Sequence, residues 1–510
     1  MVELTGREAV GGGYPLRRLR PARAIIGLSG VALAAFLGYE AGNHPLPAIG
    51  VGLVAIVALA IAARPDYATV AAVVILYSNA AAIAVKLYGL PTAIGSIVPM
   101  LLAIPLAYRL VARREPLIQT SALPFLAGLL IVEILSTIVS SEPGSAAAEV
   151  GRFVLEGVIL YLLITNVVRN YAMLRQLAWA LIAIGGFLGA LSAIQQYTGT
   201  YGNDYLGFAQ VSSAAFGTGG SLQRRLAGPL GDQNRYAQIL LVLIPIGLFL
   251  VWSARSKLLM ALAAGATALT VVGVALTFSR GAAVGFAVML VVGTALRYIK
   301  LRQAAVIVAG LVLLLALFPA YQSRLSWLGS LSVKQGTQSQ ADTSNLRSRA
   351  TEVLVAVQVF ADHPILGVGP GQFPTYYRPY AERAYSSFLD IRAQNSNRKA
   401  HDLYAGIAAE TGILGLFFFL AIVFVTLRDL ARARKRSLRR SRPELAGMAT
   451  SFFLAIVAYL GSGVFLHLAY QRYLWLLLAL AGAAASVALR DTGDIRSEPA
   501  AASPHALGPP

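Results

Sequence analysis

The segment HDLYAGIAAETGILG, residues 401–415, joins a polar stretch to a long apolar run, with a histidine at the junction. Glu410 falls opposite His401 on a helical wheel, so it is not expected to orient the imidazole. At 100° per residue, four small residues fall within about 40° of His401, namely Ala405, Ala408, Gly412 and Gly415. Such a stripe lets another helix approach closely within a membrane. The segment therefore predicts a histidine above a tight helix crossing.

The composition indicates an integral membrane protein. Hydrophobic residues make up 57% of the 510 residues, charged residues make up 13%, and the mean hydropathy is +0.67. These values exclude an ordinary water-soluble domain. The apolar runs show no period-two alternation, which excludes a barrel, and only helices and closed barrels satisfy the backbone in hydrocarbon. We predict an all-α, polytopic membrane helix bundle with 12–14 spans and both termini in the cytoplasm.

The predicted layout alternates membrane helices with outer loops. The chain divides into a disordered basic cytoplasmic tail (1–23), N-terminal helices (24–197), an outer loop (198–235), further helices (236–319), a large outer loop (320–402), C-terminal helices (403–489) and a disordered tail (490–510). The candidate spans are 24–39, 47–63, 68–85, 94–110, 123–140, 154–168, 177–197, 236–252, 258–278, 282–296, 304–319, 403–427, 446–465 and 474–489.

The charge distribution supports this layout. The formal net charge is +19, and basic residues concentrate at the joints assigned to the cytoplasm, most densely from Arg428 to Arg442. Cytoplasmic loops carry such an excess in membrane proteins, where it also contacts anionic lipids. The charge therefore indicates topology rather than nucleic-acid binding. The absence of cysteine excludes a disulfide framework and a thiolate metal site.

The loop 320–402 is the only outer segment large enough for a folded subdomain. Its polar stretch VKQGTQSQADTSN is expected to be disordered. The following LRSRATEVLVAVQVFADHP predicts a helix capped by Ser344 or Asn345. Glycine and proline then crowd ILGVGPGQFPTYY, which indicates a turn-rich loop.

Three arginines are candidate ligands for an anion. Arg280 lies in the apolar segment LTFSRGAAVGF, where a guanidinium is costly unless it reaches an interface or a partner. It either sits in a hairpin and reaches lipid phosphate, or it binds an anionic substrate. Arg224 and Arg225 are either surface arginines or ligands of the same substrate. All three share the predicted outer face with His401, and guanidinium groups bind phosphate in bidentate fashion.

His401 is the candidate base, because a neutral imidazole can accept a proton from a hydroxyl nucleophile. The other four histidines are assigned no role. The chain lacks the zinc, P-loop, serine-hydrolase and metal-sugar motifs H-E-x-x-H, G-x-x-x-x-G-K-[ST], G-x-S-x-G and D-x-D. No cofactor and no metal are therefore expected. An acceptor activated outside the cell without a nucleotide points to a donor already energised on a lipid carrier.

Four segments together resemble the O-antigen ligase and polymerase superfamily. HDLYAGIAAETGILG is similar to the family pattern of His-Asn followed by Gly-x-x-Gly, with His401, Gly412 and Gly415 in register. The other matching segments are RLAGPLGDQNRYAQ, FSRG and HPILGVGPGQF, and along the chain all four follow the family's order. Asp402 replaces the usual Asn, and it would either raise the basicity of His401 or cap the helix. Asp232-Gln233-Asn234 replaces the usual Pro-Asn pair.

The resemblance implies a GT-C-like glycosyltransferase in the bacterial cytoplasmic membrane. Its donor would be a polyprenyl-diphosphate-linked glycan and its acceptor a glycan, lipid or protein. Transfer would be metal-independent and inverting: His401 would activate or orient the acceptor hydroxyl, and Arg225 and Arg280 would stabilise the departing diphosphate. Arg224 would assist in substrate binding, and Tyr376, Tyr377 and Tyr404 would either line the sugar groove or serve packing.

Two other functions fit an apolar chain of this kind. A transporter or flippase of a lipid-linked anion would carry charged residues through several spans, whereas only Glu133, Arg280 and Glu410 lie well inside predicted helices. A non-catalytic assembly scaffold would need none of the shared outer-face residues. Ligation and polymerisation use the same donor chemistry, so the residues do not separate them.

Overall fold

The computed structural model describes residues 66–89, 91, 94–212, 224–316, 337–383, 398, 400–466 and 472–491. The chain divides into two units, residues 1–68 and 69–510, and nearly all described residues belong to the second. The predicted spans 24–39 and 47–63, the predicted tail 1–23 and residues 492–510 of the other predicted tail lie outside the described residues.

Helices dominate the described ranges. The helices are α1 (Asp66–Tyr77), α2 (Ala80–Tyr88), α3 (Ile94–Ala107), α4 (Leu123–Ile138), α5 (Pro143–Phe153), α6 (Leu160–Val167), α7 (Tyr171–Thr198), α8 (Gln233–Leu241), α9 (Leu243–Trp252), α10 (Lys257–Leu276), α11 (Arg280–Ala295), α12 (Leu301–Ala316), α13 (Thr337–Asp362), α14 (Phe373–Arg383), α15 (Leu403–Arg439), α16 (Pro443–Gly463) and α17 (Arg472–Asp491). π-Helical turns follow α3 at Tyr108–Ala112 and α5 at Val154–Ile159. The strands β1 (Gln210–Val211) and β2 (Leu226–Gly228) pair antiparallel.

The all-α, polytopic fold is confirmed. Within the described ranges, six helical segments are long and apolar enough to cross a membrane: α7, α8 with α9, α10, α15, α16 and α17. The bent pair α1 and α2 adds a seventh, and shorter apolar helices occur at Leu101–Ala112, Leu123–Ile138, Arg280–Ala295 and Leu301–Leu313. The chain is a multi-pass membrane protein.

The predicted span 68–85 is bent, because α1 and α2 meet at an angle of 55°. Asn79 lies at the break in the left-handed conformation (φ 63°), which Asn tolerates better than most residues. Its Nδ2 donates to the carbonyl of Pro229 at 2.7 Å, and Arg472 donates to its Oδ1. These bonds satisfy the side-chain amide of Asn79, which is buried at the break.

Two helices extend beyond their predicted bounds. α15 continues to Arg439, past the predicted membrane span 403–427, because its basic extension consists mainly of good helix formers. α13 begins at Thr337 rather than after a cap at Ser344 or Asn345. The polar residues that predicted disorder contain neither glycine nor proline between 337 and 345, so they extend the helix instead.

The described residues of the predicted outer loop 320–402 form a small core of their own. One face of α13 buries Val355, Ala356 and Val359 against Phe373 and Tyr377 of α14. α13 also packs against the first part of α15. The loop helix is therefore held against the helix that begins beside His401.

Candidate active site

α15 is interrupted at Gly412, whose φ of 67° and ψ of −166° are accessible essentially only to glycine. The break leaves backbone groups of α15 without hydrogen-bond partners in the helix, and the glycine-rich turn of residues 363–372 supplies those partners. The hydrogen bonds run from Val368 N to Ala409 O (3.0 Å), from Gly369 N to Glu410 O (2.9 Å) and from Ile413 N to Pro364 O (2.8 Å).

The expected helix crossing is therefore absent at Gly412, where a loop approaches, whereas Ala405 of the same stripe packs on the cluster that contains residues of α13. A methyl group on Gly412 would overlap the carbonyl of Ile365. Ser136 of α4 closes the contact from the other side, with its Oγ 2.5 Å from Leu366 O and 2.9 Å from Glu410 O. The loop is thus fixed to two membrane helices directly below the site.

His401 precedes α15 and so does not belong to its helical wheel. Asp402 is the N-cap residue, and its Oδ1 accepts a hydrogen bond from Ala405 N at 2.7 Å. Burial raises the pKa of Asp402, while backbone hydrogen bonds from Ala405 and Tyr404 oppose the change. The capping alternative for Asp402 is confirmed, and Asn at this position would supply the same acceptor.

Glu352 of α13 is the group next to the imidazole. His401 Nδ1 lies 2.7 Å from Glu352 Oε2, and Arg398 Nη1 lies 2.9 Å from Glu352 Oε1. The glutamate side chain is 3% exposed, whereas the histidine side chain is 43% exposed. The two atoms lie within ion-pair distance, but neither Nδ1 nor Oε2 makes a hydrogen bond among the described residues. One edge of the imidazole therefore faces a buried carboxylate, and the other edge faces the protein surface.

Arg349 lies one helical turn before Glu352. Burial lowers the pKa of Arg349, Glu352 opposes this change, and the nearby positive charge of Arg280 lowers it further. Asp232 acts in the same direction as Glu352. Two cations from α11 and α13 thus lie close enough for their charges to interact, and the carboxylates of Glu352 and Asp232 oppose this repulsion.

Arg280 lies at the exposed start of α11, in the hairpin that follows α10. Ser279 caps α11, since its Oγ accepts a hydrogen bond from Ala282 N. Arg280 therefore lies in a hairpin between two helices, as one of its two predicted alternatives stated. That position also presents the guanidinium on the side where Arg349 and Asp232 lie.

Arg225 is bonded mainly to backbone. Its Nε donates to Thr277 O at 2.9 Å, and its Nη2 lies 3.3 Å from Phe278 O and 3.2 Å from Asn234 Oδ1. Asp232 caps α8 by accepting from the backbone of Asn234 and Arg235. Arg225 therefore holds the turn that carries Arg280, and ties it to the start of α8.

Arg224 does not join this cluster in the described contacts. It is exposed, with its guanidinium 5.6 Å from the centre of the Tyr201 ring. Such a cation–π contact is typical of a surface arginine. Arg224 and Arg225 are adjacent in the sequence, and adjacency alone does not distinguish their roles.

The three candidate tyrosines have packing contacts. Tyr377 is buried beneath the site, with the Arg398 guanidinium 5.9 Å from its ring centre. Tyr376 is half-buried and packs edge-on against His363. Tyr404 donates to Leu460 O at 3.1 Å and so ties α15 to α16.

Sequence analysis missed Arg349, Glu352 and Arg398. The spacing of Arg349 and Glu352 places them three residues apart on one face of the predicted helix, and that pairing was an available signal. The contact between Glu352 and His401 joins residues 49 positions apart, 401 minus 352, which no local pattern reveals.

Residues 265–420 match the family model described as O-antigen ligase. The matched segment runs from within α10 to within α15 and contains Arg280, Arg349, Glu352, Arg398 and His401. The predicted resemblance is confirmed over this segment. A search of curated proteins found no significant match.

Proposed function

We propose that this chain, a multi-pass membrane protein whose residues 265–420 match the O-antigen ligase family, is a glycosyltransferase of the ligase or polymerase type. It moves a glycan from a polyprenyl-diphosphate carrier to an acceptor hydroxyl on the extracytoplasmic face of the bacterial inner membrane. The observation that carries the proposal is the convergence of Arg280, Arg349 and His401 on one side of the bundle.

The two arginines suit the leaving group. A departing diphosphate carries adjacent negative charges, and guanidinium groups bind such oxygens in bidentate fashion. An anion between Arg280 and Arg349 would offset their mutual repulsion. Their charges would then stabilise the transition state as negative charge develops on the leaving oxygen. Arg225 contributes by holding the turn on which Arg280 lies.

His401 suits the acceptor. Its outward edge would take the proton of the acceptor hydroxyl as the acceptor oxygen bonds to the anomeric carbon. The bond from that carbon to the diphosphate oxygen breaks in the same step, and the diphosphate leaves on its lipid carrier. Attack from the face opposite the leaving group inverts the anomeric centre.

The test is transfer by the purified protein from a polyprenyl-diphosphate glycan to candidate acceptors. A ladder of products indicates a polymerase, and one discrete conjugate indicates a ligase. We expect His401→Ala, Arg280→Ala and Arg349→Ala each to lose on the order of 100-fold or more in turnover, with or without chelator. Arg378→Ala is the matched control, because this exposed arginine of the same outer loop pairs only with Glu382 among the described residues. Wild-type turnover of both His401→Ala and Arg280→Ala would refute the mechanism.

The topology has a separate test, since the chain contains no cysteine. Exposed Thr375 on α14 and exposed Arg432 on the basic extension of α15 lie on predicted opposite faces. We expect Thr375→Cys to react with an impermeant thiol reagent in intact spheroplasts, and Arg432→Cys to react only after lysis. The reverse pattern would refute the orientation.

A further inference from the structure

Glu352 is a buried carboxylate whose two oxygens serve different partners. Oε1 lies against Arg398 and Oε2 against His401, on a side chain that is almost fully enclosed. We propose that Glu352 is a positioning residue that sets the tautomer and orientation of His401, with Arg398 holding the carboxylate in place. This inference rests on the proposed function, in which His401 accepts the acceptor proton.

The contact favours a proton on the nitrogen that faces the carboxylate. A carboxylate oxygen presents lone pairs and repels the lone pair of a ring nitrogen, so the 2.7 Å approach of His401 Nδ1 to Oε2 favours the tautomer that carries its proton on Nδ1. The lone pair is then on Nε2, at the edge of the ring away from the carboxylate. An unrestrained imidazole distributes its proton between both nitrogens and rotates about two side-chain bonds. Glu352 therefore selects the form of His401 that can act as a base towards the outside.

Basic side chains and close packing surround Glu352. Arg398 lies 2.9 Å away and Arg349 lies one turn before it on α13, so the buried negative charge is compensated. The neighbouring Thr351 and Val355 are fully buried, which fixes this part of α13. A single rigid helix thus carries both the arginine facing the anion site and the carboxylate facing the base.

During transfer the carboxylate stabilises charge without taking a proton. The acceptor proton moves to His401 Nε2 as the acceptor oxygen bonds to the anomeric carbon and the diphosphate departs. The resulting imidazolium carries a positive charge next to Glu352 Oε2, where the carboxylate lowers its energy. The proton then returns to solvent from Nε2.

A double-mutant cycle tests this coupling. We expect Glu352→Ala to lower kcat on the order of 100-fold, as removal of a group that orients a functional histidine does, with the KM for the donor changed less than about threefold. Glu352→Gln keeps an oxygen acceptor without the charge, so it should retain more activity than Glu352→Ala. In the His401→Ala background, Glu352→Ala should cause no further loss. Glu382→Ala, which removes an exposed carboxylate of the same subdomain, should stay within about twofold.

Spectroscopy tests the same inference without turnover. Side-chain ¹⁵N shifts of histidine distinguish the two tautomers, and the signal of His401 is the one that His401→Ala removes. We expect the Nδ1–H form in the wild type and a mixture in Glu352→Ala, with Glu352→Gln as the folded comparison if the alanine variant is unstable. An unchanged tautomer, or equal losses from Glu352→Ala with and without His401, would refute the positioning role. Wild-type activity of His401→Ala would instead refute the proposed function.

Discussion

Gly189 and Gly412 each allow two backbone segments to come into contact, but the kind of segment that approaches differs between them. Gly189 of α7 lies against Leu269 of α10, and a methyl group there would overlap the carbonyl of Leu269. Gly412 of α15 lies against Ile365 of the turn at 363–372. At Gly189 two intact helices cross, whereas at Gly412 a helix breaks and a loop enters.

The difference follows from backbone hydrogen bonding. α7 and α10 satisfy their own backbone groups, so their contact needs only the absence of side chains. The break in α15 leaves the carbonyls of Ala409 and Glu410 unpaired by the helix, and Val368 and Gly369 donate to them. A stripe of small residues therefore indicates close approach without indicating what approaches.

Gly412→Ala should have the largest effect. The alanine would need a backbone conformation that is essentially restricted to glycine and would overlap the loop, so the loop should separate from α15. We expect transfer to fall more than about 100-fold, because the loop subdomain also carries Arg349 and Glu352. Gly310→Ala, at a helical glycine in open space, is the control. Near-normal transfer by Gly412→Ala would contradict the loop contact.

Gly189→Ala should mainly affect stability. Helices can shift apart to accept a methyl group, at a cost of about 1–3 kcal/mol for overpacking. We expect a lower midpoint of thermal unfolding in detergent, while folded protein keeps turnover within about threefold. Gly265→Ala, in α10 with no neighbour near the added methyl, should change neither quantity. A loss of turnover without a loss of stability would mean that the crossing is part of the site.

Ser136→Ala should have a smaller effect on the loop contact. It removes the hydroxyl that reaches Leu366 O and Glu410 O, and loss of such a bond costs about 1–2 kcal/mol. We expect a lower unfolding midpoint and a loss of turnover below tenfold. Thr137→Ala is the neighbouring control, because its hydroxyl bonds only to Glu133 O of its own helix among the described contacts.

Substitutions of Asp402 should have the smallest effect on stability, and this effect should depend on pH. Burial raises the pKa of Asp402 in the folded protein above its value in the unfolded chain. The protonated carboxyl therefore contributes to the free energy of unfolding. This contribution is fully present below the pKa of the unfolded state and is lost as pH rises through the pKa of the folded state. Asp402→Asn keeps the cap without the charge, so at neutral pH it should be at least as stable as the wild type. The difference in stability between Asp402→Asn and the wild type should become smaller at acidic pH. Asp402→Ala should lose about 1 kcal/mol, as loss of an N-cap does. A neutral-pH loss for Asp402→Asn equal to that of Asp402→Ala would contradict capping.

Local patterns predicted the parts of the fold that are local. Apolar runs predicted the helices, and the Ser-Arg-Gly hairpin and the cap at Asp402 were among the alternatives read from the residues. The break at Gly412 was missed because a lone glycine is compatible with a helix, and only the bonds from Val368 and Gly369 make the break favourable. The 55° bend at Asn79 was missed for the same reason, since Pro229 and Arg472 supply its partners from distant segments.

By itself the sequence determined that this is a helical membrane protein, because its composition leaves no other way to satisfy the backbone in hydrocarbon. It also singled out His401 and Arg280, through their place at the ends of apolar runs and through a family resemblance that the match at 265–420 confirms. Only the tertiary structure decided the neighbours of these residues. Glu352, Arg349 and Arg398 come to the site through the packing of α13 on α15, and such long-range contacts leave no periodic trace in the chain.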